Sequence, residues 1–229
     1  MPDPRDGQDL PGFKEVVNIV PIGKSEDVKV EVCKILNKIG ALKFGAFKLS
    51  SGKISPYYID LRIVPSFPDS FQKICGFCVD FIKDQIGADK FERVAGIPVA
   101  GIPFASVITY GLKKPFLYIR KGVSLQGRER RIEGIIAPGN QVLLIDDLIT
   151  TGLSLQKAAK AIRAESGVIN DAVVLLDRQE GGKEKLAQNG TKLHALLNVT
   201  DVAKTLQELG AIDDEQFRTI LKQVKKSKR

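Results

Sequence analysis

The sequence predicts an α/β protein with a parallel central sheet that carries helices on both faces. From about residue 92 to residue 199, short apolar runs alternate with helical patterns and glycine-containing turns. The apolar runs contain few polar residues, which is typical of strands that are buried on both faces. A chain of 229 residues with 43% hydrophobic and 27% charged residues is long enough for one sizeable core.

Composition excludes several classes of protein. No apolar run is long enough to cross a bilayer and the chain starts without a signal-peptide pattern, so we expect a cytoplasmic protein with no membrane partner. Three cysteines fit a reduced compartment. Cys75 and Cys78 form a C-x-x-C, but no second ligand pair exists and His194 is the only histidine. Buried core cysteines and a structural histidine are therefore favoured over a zinc site.

Charge points to an anionic ligand. The net charge of +8 suits a polyanion, and part of it lies in the basic residues 225–229, which are typical of a solvated tail. The chain has no Trp and no module that combines aromatic and basic residues, so nucleic acid is not expected as a partner.

The first part of the chain predicts an extension, a helix and a hairpin. Residues 1–24 are polar and rich in Pro and Gly, which is typical of a partly disordered extension. Ser25 starts a helical pattern that ends at Gly40. Residues 43–49 and 57–62 then predict two antiparallel strands that are joined by a turn.

Helices and strands alternate through the rest of the chain. The expected elements are a helix over 70–86, a strand and glycine-rich turn over 93–103, a helix over 104–110, strands over 116–119 and 142–145, a helix from 153 or 154, strands over 170–178 and 193–199, and helices over 201–209 and 215–224. The glycine-rich turn is either a tight connection or a place where backbone approaches a ligand closely. We expect the last two helices to cover an edge of the sheet.

A cluster of basic residues follows the strand over 116–119. Arg120 and Lys121 lie at its carboxyl end, the edge at which open α/β sheets bind ligands. Residues 122–134 have no periodicity and predict a long mobile loop, a common form of active-site lid. This loop carries Arg128, Arg130 and Arg131.

The most informative stretch is residues 141–154, where a buried strand leads through two carboxylates into a loop and a helix. Thr150, Thr151, Gly152 and Ser154 in that loop, with the amides that start the helix, predict a cradle for an anion. Asp146 and Asp147 would repel a phosphate, but they suit ribose hydroxyls or water on Mg²⁺. The alternative is an ordinary βα loop with capping hydroxyls.

A second candidate, Arg178, ends the strand over 170–178. The planar fork of an arginine suits a carboxylate or a carbonyl oxygen of a ligand. The alternative is a surface salt bridge.

Two motifs resemble those of a known family. Residues 145–154 resemble the signature with which type I phosphoribosyltransferases bind 5-phosphoribosyl 1-diphosphate (PRPP), an acidic pair followed by Thr-x-Gly-x-Ser/Thr. Residues 51–62 resemble the segment SGxxSPxYxDxR of orotate phosphoribosyltransferases, which forms part of a hood over the base. The resemblance covers about residues 40 to 200.

The resemblance implies a type I phosphoribosyltransferase fold. It combines a mostly parallel central sheet, flanked by helices, with a small N-terminal hood. In one domain over 25–229 it places the hood at about 25–65, the core at about 66–200 and C-terminal helices at about 201–224. It also implies a homodimer in which the mobile loop reaches the site of the neighbouring subunit.

The implied reaction transfers the 5-phosphoribosyl group of PRPP to orotate and releases pyrophosphate, with Mg²⁺ brought by PRPP near Asp146 and Asp147 and no direct protein ligand assigned to it. The catalytic residues would be Arg120, Lys121, Asp146 and Asp147. PRPP would contact these four and also Leu148, Ile149, Thr150, Thr151, Gly152, Leu153 and Ser154. Orotate would contact Tyr58, Ile59, Thr150 and Arg178. The mobile loop would supply Ser124, Gln126, Arg128, Arg130 and Arg131.

The sequence departs from the family pattern at charged positions. Ser124 replaces a loop lysine, Gln126 a histidine or tyrosine, Ser50 a lysine of the base site, and Val99-Ala100 a Tyr-Lys pair. In one interpretation the loop arginines replace these cations in an active enzyme. In another, the protein is a PRPP- or nucleotide-binding regulator that does not turn over orotate. A third interpretation, transfer to another base, is disfavoured by the hood segment and by Arg178.

Overall fold

A computed structural model describes residues 25–48, 54–120 and 131–227. Within these ranges the α-helices are α1 (Ser25–Lys38), α2 (Pro68–Gln85), α3 (Gly101–Leu112), α4 (Leu153–Ala164), α5 (Gly182–Gln188), α6 (Val199–Glu208) and α7 (Asp214–Ser227). The strands are β1 (Leu42–Lys48), β2 (Ile54–Ile59), β3 (Arg93–Gly96), β4 (Phe116–Ile119), β5 (Ile132–Glu133), β6 (Val142–Ile149), β7 (Asp171–Asp177) and β8 (Lys192–Asn198). Short 3₁₀ helices span Leu61–Ser66 and Ala88–Lys90.

Some of the predicted features lie outside the described residues. They are the extension over 1–24 and the residues Ser50, Lys121, Ser124, Gln126, Arg128 and Arg130. Among the described helices, none combines the length and the apolar character needed to cross a membrane.

The central sheet has six strands in the order β5-β4-β3-β6-β7-β8. All neighbours pair in parallel except β4 and β5, which are antiparallel. The expected α/β class with a mostly parallel sheet is therefore confirmed. The chain builds outward from the centre in two directions, from β3 towards β4 and from β6 towards β7, so the direction of winding changes between β3 and β6.

Apolar cores on both faces of the sheet explain the uninterrupted apolar runs. In β6, Leu143 and Ile145 pack into the core on the side of α2 and α3, whereas Val142 and Leu144 pack into the core on the side of α4. Each of these side chains is at most 2% exposed. Burial of an aliphatic side chain stabilises a fold by about 1.5–3 kcal/mol, so every position of β6 favours an apolar residue until the site begins.

The hairpin β1-β2 packs on the C-terminal helices. Tyr57 and Ile59 of β2 join one core with residues of α6 and α7, among them Val202 and Ile220. The prediction that both terminal helices cover a sheet edge is wrong for α7, which lies against α6 and β2 while α6 packs on β8. The apolar stripe of α7 finds its partner in the hairpin.

The second hairpin strand is shifted from its predicted position over 57–62. It begins at Ile54 and ends at Ile59, and the chain turns into a 3₁₀ helix at Leu61. The cause is Asp60, whose carboxylate accepts a hydrogen bond from the backbone N–H of Arg62 at 3.2 Å and so caps the 3₁₀ helix. Side-chain capping of this kind competes with a strand.

Three other elements begin or end at residues that differ from the prediction, and strand pairing explains two of these differences. Strand β6 continues to Ile149 because β7 pairs with it as far as Asp177, so the two carboxylates lie in the strand. Helix α3 begins at Gly101 and not at residue 104. The predicted loop over 122–134 includes β5, which pairs with β4, and its residue Arg131 accepts a backbone hydrogen bond from Arg120 at 2.9 Å.

The cysteine pair is buried in the apolar core, and the histidine pairs with an aspartate at the opposite end of the strands from the cavity. Cys75 and Cys78 are free thiols within α2 and are at most 1% exposed. Burial raises the pKa of Cys78 to about 12. His194 Nε2 lies 2.7 Å from Asp171 Oδ1, which starts β7, so this pair is at the amino end of the strands.

Candidate active site

A cavity of about 250 Å³ opens where the winding of the sheet changes direction, at the carboxyl ends of β3 and β6. Open α/β sheets bind ligands at such switch points because the loops after the two central strands diverge there. One wall follows β3, and the other is the end of β6 with the loop after it. The lining residues are Pro98, Val99, Ala100 and the ten consecutive residues from Asp146 to Leu155.

Two adjacent carboxylates form the floor of this cavity. Asp146 is 7% exposed and Asp147 is 9% exposed. The backbone N–H of Asp147 donates a hydrogen bond to Asp146 Oδ1 at 2.9 Å. Burial, and then the neighbouring charge of Asp147, raises the pKa of Asp146 well above its ordinary value. Burial also raises the pKa of Asp147, against smaller lowering effects, of which the hydrogen bond with Asp146 is the largest and the positive charge of Arg62 the smallest.

The first residue of α3 packs directly on the acidic pair. A Cβ at Gly101 would lie 2.6 Å from Asp146 Oδ1 and 2.9 Å from Asp146 Cα. Only glycine fits between α3 and β6 here, so the glycine-rich turn after β3 permits a close approach of backbone to the carboxylate.

The loop after β6 is the one that the sequence predicts to cradle an anion. Thr150, Thr151 and Ser154 all line the cavity. Gly152 has φ +76°, a left-handed conformation that favours glycine, and α4 begins at the next residue. Gly152 makes no side-chain cap to α4, so the first amides of the helix are left for another acceptor, at the positive end of the helix dipole.

A second glycine joins this loop to the loop after β7. A Cβ on Gly182 would lie 2.5 Å from the carbonyl oxygen of Thr150 and 2.7 Å from the side chain of Ile149. A Cβ on Gly152 would in turn lie 3.2 Å from the carbonyl oxygen of Gly182. The two loops therefore approach each other closely through backbone, beside the side chain of Ile149.

The loop after β7 carries Arg178 to a buried position beside the hood. Arg178 is 5% exposed, and its Nε lies 3.0 Å from Glu180 Oε1. The guanidinium carbon is 4.9 Å from the centre of the Tyr57 ring, a cation–π contact. The alternative of an exposed surface salt bridge is wrong, because the ion pair of Arg178 is buried against β2.

Arg120 lies at the carboxyl end of β4, outside the residues that line the cavity. Its Nη1 is 3.2 Å from Glu133 Oε1 in a half-exposed ion pair. Val99 and Ala100, which stand where the family pattern has Tyr-Lys, do line the cavity. This wall of the cavity therefore contributes backbone and apolar surface.

A family model described as the phosphoribosyl transferase domain matches residues 68–194. An orotate phosphoribosyltransferase of Cenarchaeum symbiosum is 40% identical over 185 residues, which is 81% of this chain and 92% of that protein. One of Staphylothermus marinus is 40% identical over 196 residues, 86% of this chain and 94% of that protein. The chain belongs to the orotate phosphoribosyltransferases. The crystal structure of such an enzyme from Aeropyrum pernix has a TM-score of 0.66 and 31% identity, covering 78% of this chain and 99% of that one.

The orotate phosphoribosyltransferase fold brings most of the predicted site together. Asp146 to Ser154 line one cavity, and the backbone N–H of Arg178 donates to the carbonyl oxygen of Ile149 at 3.0 Å, next to it. Tyr58 and Ile59 lie on β2, where Ile59 is buried and Tyr58 Oη accepts a hydrogen bond from Arg62 at 2.6 Å.

Several residues around the site were not found from the sequence. Arg62 is bound by Asp60 through Nε at 2.6 Å and Nη2 at 2.9 Å, and it acts electrostatically on Asp147. Glu180 and Tyr57 hold Arg178. The pattern Asp-x-Arg over 60–62 was visible in the hood motif, whereas the role of Tyr57 depends on a contact between distant parts of the chain and that of Glu180 on the conformation of its loop.

Proposed function

We propose that this orotate phosphoribosyltransferase transfers the 5-phosphoribosyl group of PRPP to orotate at the cavity between β3 and β6. The observation that carries the proposal is the acidic pair at the end of β6, directly beside the uncapped first turn of α4. Carboxylates suit the hydroxyls of a sugar, and helix-start amides suit a phosphate. Their sequence order matches the order of these groups along a ribose 5-phosphate.

The acidic pair would hold the ribose. Asp146 and Asp147 accept hydrogen bonds from its hydroxyls and stabilise the positive charge that builds on the ring as pyrophosphate leaves. Their burial removes competing water, so both the hydrogen bonds and the charge interaction are stronger than they would be at an exposed surface.

The loop from Leu148 to Ser154 would hold the 5′-phosphate. Thr150, Thr151 and Ser154 supply hydroxyl donors, and Gly152 lets the backbone approach the oxyanion. This anchoring fixes ribose C1 relative to the base, so catalysis rests largely on placement. Arg120 and Lys121 remain the predicted contacts to pyrophosphate, with Lys121 outside the described residues.

The base would bind between the hood and the loop after β7. Arg178 offers a guanidinium edge to an oxygen of orotate, while Thr150 and the backbone of Tyr58 and Ile59 face the ring. The backbone bond between Arg178 and Ile149 keeps this donor next to the ribose-binding strand.

The donor set fits magnesium that arrives with its substrate. Among the described residues no group of three or more His, Cys, Asp or Glu side chains could hold a metal ion, and only the two adjacent carboxylates face the cavity. Mg²⁺ commonly binds through one or two carboxylates together with substrate phosphates. When bound near Asp146 and Asp147, it would offset negative charge on the leaving pyrophosphate.

The surroundings of the reaction also belong to the proposal. We expect a homodimer in which the loop that includes Ser124 and Gln126 is shared between subunits. A cytoplasmic location fits the free, buried cysteines. The regulator without turnover remains a formal competitor because the loop departs from the family pattern, but no contact among the described residues favours it.

Turnover with purified protein tests the proposal directly. The protein is mixed with PRPP, Mg²⁺ and one base at a time from orotate, uracil, hypoxanthine and adenine, and orotate consumption is followed by its absorbance. We expect turnover with orotate alone. Tight binding of PRPP without product from any base would favour the regulator, and turnover of another base in preference to orotate would refute the assignment of the base.

Two variants test the division of roles. Asp147→Asn removes a charge from the ribose floor, so we expect a higher KM for PRPP. Arg178→Ala removes the donor for the base, so we expect mainly a higher KM for orotate. Equal effects of both variants on both substrates would contradict the assignment.

A further inference from the structure

A buried cluster of charge lies at the junction of hood and core. It consists of Arg178, Glu180 and the ring of Tyr57, and it adjoins the proposed base site without being part of the cavity lining. The side chain of Glu180 is 17% exposed and that of Arg178 is 6% exposed. An ion pair this deep is expensive to bury, so its presence calls for a reason other than stability.

The loop is shaped so that these two side chains meet. Gln179, between them, has φ +57°, and its N–H donates to Asp177 Oδ1 at 2.7 Å. This left-handed residue reverses the chain direction, which lets Glu180 reach back to a residue only two positions earlier. The loop is fixed at its start by the bond from Arg178 to Ile149 and at its end by the contact of Gly182 with Thr150.

The contacts of Arg178 leave one part of the guanidinium available. Glu180 lies at Nε, and Tyr57 covers one face of the group. Nη2, which lies on the same edge of the guanidinium as Nε, is buried and has no hydrogen-bond partner among the described residues, and the contact of Nε with Glu180 Oε1 is an ion pair that lacks hydrogen-bond geometry. A buried N–H donor without an acceptor is costly, so this nitrogen is suited to donate a hydrogen bond to an oxygen of a ligand.

We propose that Glu180 is a positioning residue, which together with the Tyr57 ring fixes the orientation of Arg178 so that its Nη2 edge meets an oxygen of the pyrimidine base. This inference rests on the proposed function. Nη2 carries two N–H groups, one of them on the edge that it shares with Nη1, so a base oxygen at that edge and Glu180 beside Nε can occupy Arg178 together. Glu180 also compensates the charge that Arg178 would otherwise carry alone in a buried place.

The opposite role for Glu180 predicts the opposite result. If Glu180 occupied the place of the base oxygen, its removal would free Arg178 and tighten binding of the base. If Glu180 orients Arg178, its removal weakens binding of ligands that contain the base and leaves PRPP unaffected.

Binding of two ligands to Glu180→Gln distinguishes these roles. Dissociation constants are measured by calorimetry for orotidine 5′-phosphate, which contains the base, and for PRPP with Mg²⁺, which lacks it. We expect binding of orotidine 5′-phosphate to weaken about tenfold and that of PRPP to change less than twofold, because a charge-assisted orientation is lost only on the base side. In turnover, KM for orotate rises more than kcat falls.

Matched variants separate positioning from general damage. Glu31→Gln removes a different ion pair, to Lys73 at 2.7 Å between α1 and α2, and should leave both affinities unchanged. Glu180→Asp keeps the charge with a shorter reach, so its affinity for orotidine 5′-phosphate should lie between those of wild type and Glu180→Gln. It also serves as the second test should Glu180→Gln fail to fold.

The outcomes separate this inference from the proposed function. If Glu180→Gln binds orotidine 5′-phosphate with wild-type or higher affinity, the positioning role is overturned. An equal loss of affinity for orotidine 5′-phosphate and for PRPP would also overturn it. A wild-type protein that neither binds orotidine 5′-phosphate nor consumes orotate would instead overturn the proposed function itself.

Discussion

The contact between α3 and the acidic pair predicts a large effect of the substitution Gly101→Ala. The added Cβ would lie 2.9 Å from Asp146 Cα, whereas ordinary contacts begin near 3.4 Å, so backbone must move by about 0.5 Å. Overpacking of this kind costs about 1–3 kcal/mol, which lowers Tm by roughly 2–12 °C for a chain of this size. A displacement of 1 Å in an active site can lower the rate about 100-fold. A displacement of about 0.5 Å should therefore lower kcat/KM at least about tenfold.

Initial rates of orotate consumption at 25 °C and a thermal melt measure the two effects of Gly101→Ala. Gly190→Ala is the control: it has φ +68° and no atom within 4 Å of the new Cβ. Its backbone strain should cost about 1–2 kcal/mol without changing kcat/KM. Wild-type kcat/KM in Gly101→Ala, or an equal loss of activity in Gly190→Ala, would contradict a role of this contact in placing the acidic pair.

Three further predictions concern charge and burial. Asp146→Asn should abolish turnover yet stabilise the fold by roughly 1–2 kcal/mol at neutral pH, because a buried charge disappears; a lower Tm would contradict this. Since the pKa of Asp146 is raised in the fold, the native state binds more protons and wild-type Tm should fall as pH rises from about 4 to that raised pKa, with a weaker dependence in Asp146→Asn. Arg62→Ala should raise the pKa of Asp147 only slightly, because burial and the hydrogen bonds of Asp147 are larger effects than the charge of Arg62, so the acid limb of the kcat/KM profile for PRPP should stay close to its wild-type position; a large shift of that limb would contradict this order of effects. Cys78 should resist a thiol reagent until the protein unfolds, and rapid labelling of the native protein would show that α2 opens.

The sequence predicts the sheet better than it predicts where each strand ends. Continuous apolar runs predicted β6 and β7, because strands that are covered on both faces favour apolar residues at successive positions. Such a run can be recognised in the sequence without knowing which strands lie beside it. The run in β6 stops at Asp146, and a polar residue read alone favours a loop. The ladder with β7 nevertheless continues to Ile149, which only the neighbouring strand determines.

The residues of the candidate site were likewise predictable where they are adjacent in the sequence and not where tertiary contacts determine their role. Asp146 to Ser154 were predicted because one continuous stretch supplies strand, acids, hydroxyls and helix start. Glu180 and Tyr57 were missed because each acts through Arg178, a contact that depends on the turn of its loop and on the packing of the hood. Residues of this kind have no distinctive spacing in the chain.

The contact of Gly182 with Thr150 limits how the two substrate halves of the pocket can vary. The loops after β6 and β7 are in backbone contact, so a side chain added at Gly152 or Gly182 would displace the other loop. The conformation of one loop therefore cannot change without a change in the other. A change in base preference would therefore alter the grip on the sugar phosphate as well. An inhibitor that spans both halves gains from this fixed spacing, because the distance between its two anchoring groups can be built in rigidly.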